Sequence, residues 1–449
     1  MKLTPEASAT RVDSPRKNFR RGDKLSDLSR FLTAEQHRIH LVGVAGSGMS
    51  GLAALLIELG HAVSGSDKVS TTETERLQRL GLCFHKQHLA EHADAAELVV
   101  FSSAIKEDNP ILLTALKRGK PLFRRAEAVA AIMQAKRGIV IAGMHGKTTT
   151  SAMAAHVLRE GGLHPSHYVG AEIPILGTNA YWNQRGEYFV AEGDESDGTL
   201  RCFHPEHALI LNIEEEHLDF YPDLAAIEKV FAQLIDQTSG SILYNIDDPN
   251  TARLCGKRKR AVSYGFSEQA DYRGADIELR NFGSSFSVSR HGEKLGAANL
   301  NVPGEHNVHN ALGVIALASE LSIPFDKITA SLRKFEHARR RFEIKYASDR
   351  FLLVDDYAHH PTEIRATLRT AKSIGRRRLV TMFQPHRFSR TKALCREFGS
   401  AFDDADRVVI TDVYPASELP IPGITGRSIV DQIVEHAHRG VTYQPHLQS

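Results

Sequence analysis

The sequence predicts an α/β protein built from three consecutive domains, and three observations support this prediction. Short apolar runs typical of buried strands alternate with helical patterns along most of the chain. Two of these runs lead directly into glycine-rich turns, at residues 46–51 and 143–150, of the kind that joins a strand to a helix at a phosphate site. The length of 449 residues also suggests about three domains, since roughly 150 residues form one. We expect a Rossmann-like first domain, a central P-loop domain with a parallel sheet, and a Rossmann-like C-terminal domain.

The composition limits the functional classes. The chain has 56 basic and 54 acidic residues, a net charge of +2, so it lacks the overall charge of a nucleic-acid or membrane-surface binder. Its four cysteines are scattered, without the spacing of a zinc site or a disulfide framework. No apolar run approaches the roughly 20 residues of a membrane-spanning helix. We therefore expect a cytoplasmic protein that acts on a small charged molecule, with no nucleic-acid partner and no membrane insertion. The sequence does not indicate an oligomeric state.

Residues 1–36 are predicted to form a polar, basic and disordered tail. They show no sustained periodicity, and acidic residues at positions 13, 23 and 27 interrupt the basic ones. A contact with nucleic acid or lipid is the alternative interpretation, which these interruptions disfavour.

The first predicted domain spans residues 37–135 and contains a G-x-G-x-x-G turn at residues 46–51. Glycine in such a turn lets the backbone approach a diphosphate closely. The next strand ends in Asp67, about twenty residues further on, where a carboxylate can bind a ribose. Another strand ends in Ser102 and Ser103, at the sheet edge where α/β folds bind ligands. The turn indicates a diphosphate without identifying the nucleoside, so NAD is one candidate among several.

The second predicted domain spans residues 136–324 and contains a P-loop at residues 143–150. Backbone N–H groups and the Lys147 ammonium are suited to phosphates, and the Thr148 hydroxyl is suited to Mg²⁺. The generic P-loop has a further glycine where this chain has Ile141. An ordinary strand-to-helix turn is the alternative to a nucleoside triphosphate site.

Two later strands of the second domain end in acidic clusters, at residues 192–197 and 212–219. Either cluster alone is more typical of a solvated loop, but two of them after one P-loop favour a site for Mg²⁺ and a nucleotide. Residues 277–302 alternate in short patches that predict an antiparallel meander. Asn310, near the start of an apolar helix, is interpreted as its N-cap, with a contact to adenine as the alternative.

The third predicted domain spans residues 325–449, and two of its strands end in clusters of His, Arg and Asp at residues 355–363 and 384–391. Arginine offers a bidentate fork to a carboxylate, and Tyr or His can orient an amine. These clusters indicate a site for a substrate with a carboxylate, and a surface salt-bridge cluster is the alternative. The adjacent histidines lack a second pair of ligands at zinc spacing.

Taken in order, these motifs resemble the Mur ligases over residues 37–440, and among them the alanine-adding branch. The resemblance rests on residues 40–51, 143–150, 192–198, 212–219, 355–363, 383–391 and 412–416. It implies that the first domain holds the UDP group of a sugar substrate and not a dinucleotide. It further implies that ATP and Mg²⁺ are used to join L-alanine to the lactyl carboxylate of UDP-N-acetylmuramate, through an acyl phosphate, in peptidoglycan precursor synthesis.

The resemblance also implies roles for individual residues. The UDP-sugar site would comprise Gly46, Ser47, Gly48, Met49, Ser50, Asp67, Ser102 and Ser103. The ATP site would comprise Gly143, Met144, His145, Gly146, Lys147, Thr148, Thr149, Asn310, Arg341 and Asp355. The metal would be held by Thr148, Glu192 and His217. Alanine would be received by Tyr357, His359, His386, Arg387 and Arg390. Catalysis would depend on Lys147, Glu192, His217, His359, His386 and Arg387.

Three departures from the family pattern bear on this interpretation. Gly193 replaces a common alanine in the first acidic cluster, which leaves Glu192 in place. Position 232 is Ala, where the later-acting ligases resemble one another in a carbamylated lysine, and this favours the alanine-adding branch. The chain stops at Ser449 where family members continue through another helix and strand, so we expect a truncated third domain.

Three alternatives remain. One is a ligase that attaches a recycled tripeptide to the same UDP-sugar. The residue pattern at positions 359–363 and 383–387 disfavours this alternative. A second is a non-catalytic homologue that binds UDP-sugar or ATP. The third, an NAD oxidoreductase, would not explain the P-loop or the third domain.

Overall fold

The computed structural model describes residues 24–217, 220–280, 282–336, 338–375, 378–416, 418–436 and 440–446. The chain divides into two compact units, with the boundary between Ala131 and Ile132. The first unit contains one parallel sheet, and the second contains a large mixed sheet and the smaller sheets of the C-terminal region. This arrangement of parallel sheets and helices confirms the predicted α/β class.

The chain enters the first unit through helix α1 (Lys24–Ala34). Leu28 and Leu32 on this helix are fully buried. His61 Nε2 donates a hydrogen bond to the Leu32 carbonyl at 2.9 Å. The prediction of a disordered tail is therefore wrong for this segment, because its leucines recur at helical spacing and bury one face. Residues 1–23 of that predicted tail lie outside the described residues.

The first unit has a five-stranded parallel sheet with the strand order β3-β2-β1-β4-β5. Its strands are β1 (Arg38–Val42), β2 (Ala62–Ser66), β3 (Cys83–His85), β4 (Leu98–Phe101) and β5 (Leu122–Arg124). Its helices after α1 are α2 (Ser47–Glu58), α3 (Thr72–Arg79), α4 (His92–Ala95), α5 (Pro110–Lys117) and α6 (Arg125–Met133), the last of which reaches the unit boundary. Because β1 is central and pairs in parallel with both β2 and β4, the loops after these three strands meet at one sheet edge.

The second unit is organised around a ten-stranded sheet in the order β15-β14-β13-β12-β11-β10-β6-β9-β7-β8. The strands are β6 (Arg137–Ala142), β7 (Ser166–Tyr168), β8 (Ala180–Tyr181), β9 (Tyr188–Glu192), β10 (His207–Ile210), β11 (Ile242–Asn245), β12 (Ala261–Gly265), β13 (Tyr272–Arg280), β14 (Gly283–Arg290) and β15 (Glu293–Leu300). Strands β13, β14 and β15 pair antiparallel, which confirms the predicted meander.

Helices α7 (Lys147–Glu160), α8 (Leu224–Gln237), α9 (Pro249–Cys255), α10 (Glu305–Glu320) and α11 (Phe325–Leu332) accompany this sheet, with short 3₁₀ turns at Pro174–Leu176 and Thr199–Cys202. Helix α10 has Gly304 at its N-cap, and Asn310 lies inside the helix. The prediction that Asn310 caps the helix is therefore wrong. Asn310 is buried within α10, and its side-chain amide lies against the P-loop at Gly146.

Helix α11 belongs to the central core and not to the C-terminal domain. Its Ile328 and Leu332 are fully buried in the same hydrophobic cluster as residues of α7 and α10, and this cluster extends to Ala338. The predicted boundary at residue 325 is therefore too early. Pro324, after which the third domain was predicted to begin, occupies the N-cap position of α11.

The C-terminal region contains an antiparallel hairpin and a three-stranded parallel sheet. The hairpin pairs β16 (Glu343–Ala347) with β17 (Leu352–Asp355), and the sheet contains β18 (Val380–Phe383), β19 (Arg407–Ile410) and β20 (Val441–Tyr443). The helices are α12 (Pro361–Ser373), α13 (Phe388–Ala393), α14 (Cys395–Gly399) and α15 (Gly426–Glu435). Within the described ranges, none of the helices combines the length and hydropathy needed to cross a bilayer.

Candidate active site

The P-loop joins β6 to α7, as the sequence predicts. Ile141, at the position of the generic first glycine, is a fully buried residue of β6, so the turn itself begins later. Gly143 and Gly146 have φ angles of +154° and +82°, which glycine adopts without strain. A Cβ atom on Gly146 would lie 2.8 Å from Asn310 Oδ1, so α10 closely supports the loop from behind. The first backbone N–H groups of α7 are thereby fixed at a helix N-terminus, where anions bind.

Lys147 is anchored by a carboxylate that the sequence analysis did not select. Its Nζ lies 2.8 Å from Glu195 Oε1 and donates to the carbonyl of Gly143 at 2.6 Å. Burial opposes the ammonium charge, but Glu195 and neighbouring acids outweigh it and raise the pKa of Lys147. His217 Nε2 lies 3.3 Å from the same Glu195 oxygen. Glu195 therefore connects two predicted catalytic residues, and its place in the first acidic cluster was the signal that could have identified it.

The predicted metal residues Thr148 and Glu192 are in direct contact. Thr148 Oγ1 donates to Glu192 Oε1 at 3.0 Å, and the Gly170 N–H donates to Glu192 Oε2 at 2.7 Å. Nearby in the sequence, Glu195 Oε2 is buried and has no hydrogen-bond partner among the described residues. Hydroxyl and carboxylate oxygens are the ligands that Mg²⁺ prefers, so this group fits the ion. The third predicted ligand, His217, contacts Glu195 and not Glu192.

A cavity of about 330 Å³ lies between the P-loop, α10 and α12. Its lining includes the predicted residues His145, Gly146, Thr148, Thr149, Asn310 and Arg341. It also includes residues that the sequence analysis missed, namely Asn245, Asp248, Tyr264, His306, Asn307, His309 and Phe342. Aromatic rings and side-chain amides of this kind suit a flat heteroaromatic base with polar edges.

The predicted Asp355 does not line this cavity, whereas its neighbour Asp356 does. Asp356 accepts hydrogen bonds from the N–H groups of Phe342 and Ala358, both at 2.7 Å. Asp355 instead ends β17 and lies 3.8 Å from Arg340. Asp355 is the last residue of β17 and Asp356 follows it, and the two side chains have different partners, a distinction that the sequence pattern did not reveal.

His145 links the P-loop to the C-terminal region through two carboxylates. Its Nδ1 lies 3.1 Å from Glu363 Oε1 on α12, and its Nε2 contacts Glu214 Oε1. Burial opposes protonation, but these carboxylates outweigh it and raise the pKa of His145 to about 10. Thr362 Oγ1 also donates to Glu214 Oε2 at 3.2 Å. The phosphate loop is thus in direct contact with α12.

Four of the residues predicted to receive the amino acid form one group. The ring centroids of Tyr357 and His359 are 5.1 Å apart, and those of His359 and His386 are 5.7 Å apart. Arg390 Nη1 lies 3.2 Å from His386 Nδ1. Burial and the Arg390 charge lower the pKa of His386 to about 4, so its imidazole is neutral near pH 7.

Arg390 is paired with a buried carboxylate of the second acidic cluster. Its Nε and Nη2 donate to Glu216 Oε1 at 3.0 and 2.7 Å. Arg387, the fifth residue of the predicted set, lines a small pocket together with Glu216, His217 and Arg390. In this pocket His217, which was predicted to bind the metal, lies next to Arg387 and Arg390, which were predicted to bind the amino acid.

The glycine turn of the first unit is supported by Asp67, which directly follows β2. Asp67 Oδ2 accepts the N–H of Ala45 at 2.9 Å, so this carboxylate also braces the turn. A Cβ atom on Gly48 would lie 2.1 Å from Arg125 Nη1, which places a guanidinium against the turn. The sequence analysis missed Arg125, because no motif distinguishes it.

The other predicted residues of the first unit differ in their exposure. Met49 and Ser50 are buried, and Ser50 Oγ donates to the Ser47 carbonyl at 2.9 Å. Ser102 and Ser103 follow β4, at the same sheet edge as the turn, and Ser102 Oγ accepts the Ala104 N–H at 3.3 Å. The side chains of Met49 and Ser50 thus stabilise the helix start, whereas the two serines after β4 lie at the edge where a ligand would bind.

Family models match three consecutive segments of the chain. They are described as Mur ligase family, catalytic domain (residues 38–137), Mur ligase middle domain (residues 141–318) and Mur ligase, glutamate ligase domain (residues 340–448).

Individual relatives match over nearly the whole chain. A UDP-N-acetylmuramate–L-alanine ligase of Geotalea uraniireducens is 46% identical over 90% of this chain and 89% of its own length. The protein of the same name from Syntrophobacter fumaroxidans is 43% identical over 92% of this chain and 89% of its own length. Among solved structures, the UDP-N-acetylmuramate-alanine ligase of Thermotoga maritima has a TM-score of 0.79 and 29% identity, covering 92% of this chain and 91% of that one.

Proposed function

Because the chain belongs to the Mur ligase family, we propose that it joins L-alanine to the lactyl carboxylate of UDP-N-acetylmuramate in the cytoplasm, with conversion of ATP to ADP and phosphate. The main structural support is the small pocket in which His217, beside the P-loop network, meets Arg387 and Arg390 of the C-terminal region. Such a pocket allows one substrate carboxylate to face a phosphoryl donor and an incoming amine.

The donor side of the reaction is assigned to the P-loop. The N–H groups at the start of α7 and the Lys147 ammonium bind the terminal phosphates of ATP, while the cavity beside α10 receives the base. Thr148 and Glu192 hold Mg²⁺, which when bound neutralises charge on the transferring phosphoryl group. Glu195 keeps Lys147 protonated and directed into the loop. The lactyl carboxylate then attacks the γ-phosphate, and ADP is expelled as the acyl phosphate forms.

The acceptor side is assigned to the C-terminal group. Arg387 and Arg390 bind the alanine carboxylate, and the neutral imidazole of His386, whose Nδ1 accepts from Arg390, donates its Nε2–H to the same carboxylate. The amine in its free form attacks the acyl carbonyl and expels phosphate, losing one proton. Because an acyl phosphate hydrolyses readily, the direct contacts of α12 with the P-loop serve to exclude water while the amine is aligned.

The first unit is assigned to the UDP group. Its glycine turn and the start of α2 face the diphosphate, and the Arg125 guanidinium beside Gly48 supplies positive charge there. Asp67, Ser102 and Ser103 provide polar groups at the same sheet edge. This assignment requires that sugar binding be independent of the P-loop lysine.

The test is ADP release in the presence of UDP-N-acetylmuramate and one of four amines: L-alanine, glycine, L-serine or a recycled-type tripeptide. The proposal expects turnover with L-alanine at the highest kcat/KM. Turnover with the tripeptide alone would replace this proposal with the recycling ligase. Binding of the UDP-sugar with no turnover for any amine would instead indicate a non-catalytic homologue.

A further inference from the structure

We propose that His145, Glu214 and His360 form a second metal site, which takes a transition-metal dication such as Zn²⁺ and inhibits the use of ATP. One ligand atom from each of these residues lies within 4.8 Å of the others. His145 belongs to the P-loop, Glu214 follows β10, and His360 precedes α12. A metal ion at this site would therefore tie the phosphate loop to the C-terminal region.

The chemistry of this site differs from that of the proposed Mg²⁺ site. Thr148 and Glu192 offer only oxygen atoms, which suit a hard ion. Two imidazoles and one carboxylate instead match the three protein ligands of many zinc centres, in which a fourth position stays open. The two sites also share no residue, so occupancy of one does not require the other.

The environment of His145 has the arrangement found around metal-bound histidines. Its Nε2 contacts Glu214 Oε1, while its Nδ1 lies 3.1 Å from Glu363 Oε1. A carboxylate on the second ring nitrogen fixes the ring orientation and increases the basicity of the ligating nitrogen. Glu214 and Glu363 together bring two negative charges to the site, of which protonated His145 offsets one; a dication that displaces the Nε2 proton of His145 offsets both.

His360 provides an independent observation. The residue is only 4% exposed, and its Nδ1 lies 3.8 Å from Glu214 Oε1. Nδ1 carries the lone pair, because it accepts the Thr362 N–H at 3.3 Å, and a metal ion would take this lone pair in place of that long hydrogen bond. Within the described residues, Nε2 is buried without a hydrogen-bond partner. In the described part of the chain, the hydrogen bonding of this ring is thus limited to the long contact at Nδ1, which a metal ion can replace.

The location of the site explains why the metal would inhibit. His145, Glu214 and Thr362 all line the cavity of about 330 Å³ that also borders the P-loop. An ion held there fixes His145 to α12 and adds bulk to the cavity wall beside the P-loop. The inhibition rests on the proposed ATP-dependent function, whereas the binding of Zn²⁺ does not.

The binding test is a titration of the full chain with Zn²⁺ alone, without Mg²⁺ or nucleotide, in competition with a chromogenic chelator. We expect one site that is weakened at least 100-fold in His360→Asn. Asparagine can still cap α12 through its side-chain oxygen, so this variant preserves the helix start while removing the imidazole. Glu363→Gln should weaken binding about 10-fold, as expected for a positioning carboxylate.

A matched control removes another pair of close histidines. His85 and His92 in the first unit have ring centroids 4.0 Å apart, so they are a plausible source of background binding. The double variant His85→Ala/His92→Ala should keep the strong site. If that control loses the strong site, or if His360→Asn retains it, the assignment to His145, Glu214 and His360 is wrong.

The inhibition test measures ADP release at fixed Mg²⁺ and ATP, with free Zn²⁺ held constant by a metal buffer. We expect Zn²⁺ to inhibit the unmodified protein at least 10-fold more strongly than His360→Asn, each compared with its own rate without zinc. Equal inhibition of both proteins contradicts the inhibitory role. An absence of turnover without zinc would contradict the proposed ligase function, while the binding result would still decide the metal site.

Discussion

The two glycine-rich loops of this protein share one backbone design and differ in the charges around them. Each follows a buried parallel strand and leads into a helix, β1 to α2 in the first unit and β6 to α7 in the second. The first is braced by Asp67 and lies against Arg125. The second is surrounded by carboxylates that contact a lysine, a threonine and a histidine of the loop. A loop that only holds a diphosphate needs few charges, whereas phosphoryl transfer requires stabilisation of charge that develops during the reaction.

The largest expected effect separates the two loops by function. Lys147→Ala should reduce turnover by roughly 10³-fold, because it removes charge stabilisation of the transferring phosphoryl group. The affinity for UDP-N-acetylmuramate should change by less than about threefold, since the sugar is assigned to the first unit. ADP release and calorimetric titration with the UDP-sugar measure the two quantities. A comparable loss of sugar affinity would mean that the two loops do not have separate roles.

The second expected effect concerns the buried ion pair between Arg390 and Glu216. Arg390→Met leaves Glu216 buried without its partner, which should reduce the free energy of unfolding by about 3–5 kcal/mol. Thermal unfolding of the full chain measures this loss. Adding Glu216→Gln should recover part of it, because the unpaired charge is then removed.

A surface pair of similar geometry provides the control for that experiment. Arg137 Nε lies 2.7 Å from Glu206 Oε2, but the two side chains are 46% and 28% exposed, compared with 10% and 4% for Arg390 and Glu216. Arg137→Met should therefore cost less than about 1 kcal/mol. Equal losses for Arg137→Met and Arg390→Met would show that burial of the pair is not what matters.

The third expected effect tests the guanidinium beside the first loop. Gly48→Ala places a methyl group where Arg125 now lies, so the arginine must move, and the affinity for UDP-sugar should fall about 10-fold. The matched variant is Arg125→Gln, which removes the guanidinium without adding an atom to the turn and should cause a similar loss. If both variants bind the UDP-sugar as tightly as the unmodified protein, Arg125 does not contribute to the site.

The smallest expected effect concerns acid stability of the first unit. Burial, together with His92, His85 and His88, lowers the pKa of His40 from 6.5 to about 3. The unfolded chain therefore binds an additional proton between these pH values, so the contribution of His40 to stability is complete above pH 6.5 and is lost as the pH falls towards 3.

Replacement of this histidine should flatten that dependence. His40→Gln is expected to lower the pH slope of the unfolding free energy by about 1 kcal/mol per pH unit between pH 6 and 4. Hydrogen exchange of the β1 amides, corrected for intrinsic rates, measures the local slope. An unchanged slope would show that other groups control the acid response of this unit.

The sequence predicted those elements whose local pattern and tertiary role agree. Strands β1 and β6 are apolar because both faces are buried, and the glycines after them adopt conformations that few other residues tolerate. Helix α1 was missed because its polar and basic residues outnumber its buried leucines. The domain boundary near residue 325 was misplaced because the prediction ends the second domain at Pro324, whereas this residue caps a helix that packs in the central core.

The candidate site was predicted in part for similar reasons. Residues in or next to the glycine turns, such as Lys147 and Thr148, occupy positions fixed by the loop itself. Glu195, Asp356 and Arg125 were missed because their roles depend on which way a side chain leaves the backbone and on which distant element it meets. Contacts between residues far apart in the chain, such as Arg390 with Glu216, leave no periodic signal in the sequence.

Helix α1 has a practical consequence for the design of shortened versions of the protein. The family match begins at residue 38, which invites truncation at that point. Such a protein would expose the apolar surface now covered by Leu28 and Leu32 and would deprive His61 of its carbonyl partner. We expect it to aggregate or express poorly even with every nucleotide-binding residue intact, so a start before Lys24 is preferable for structural work.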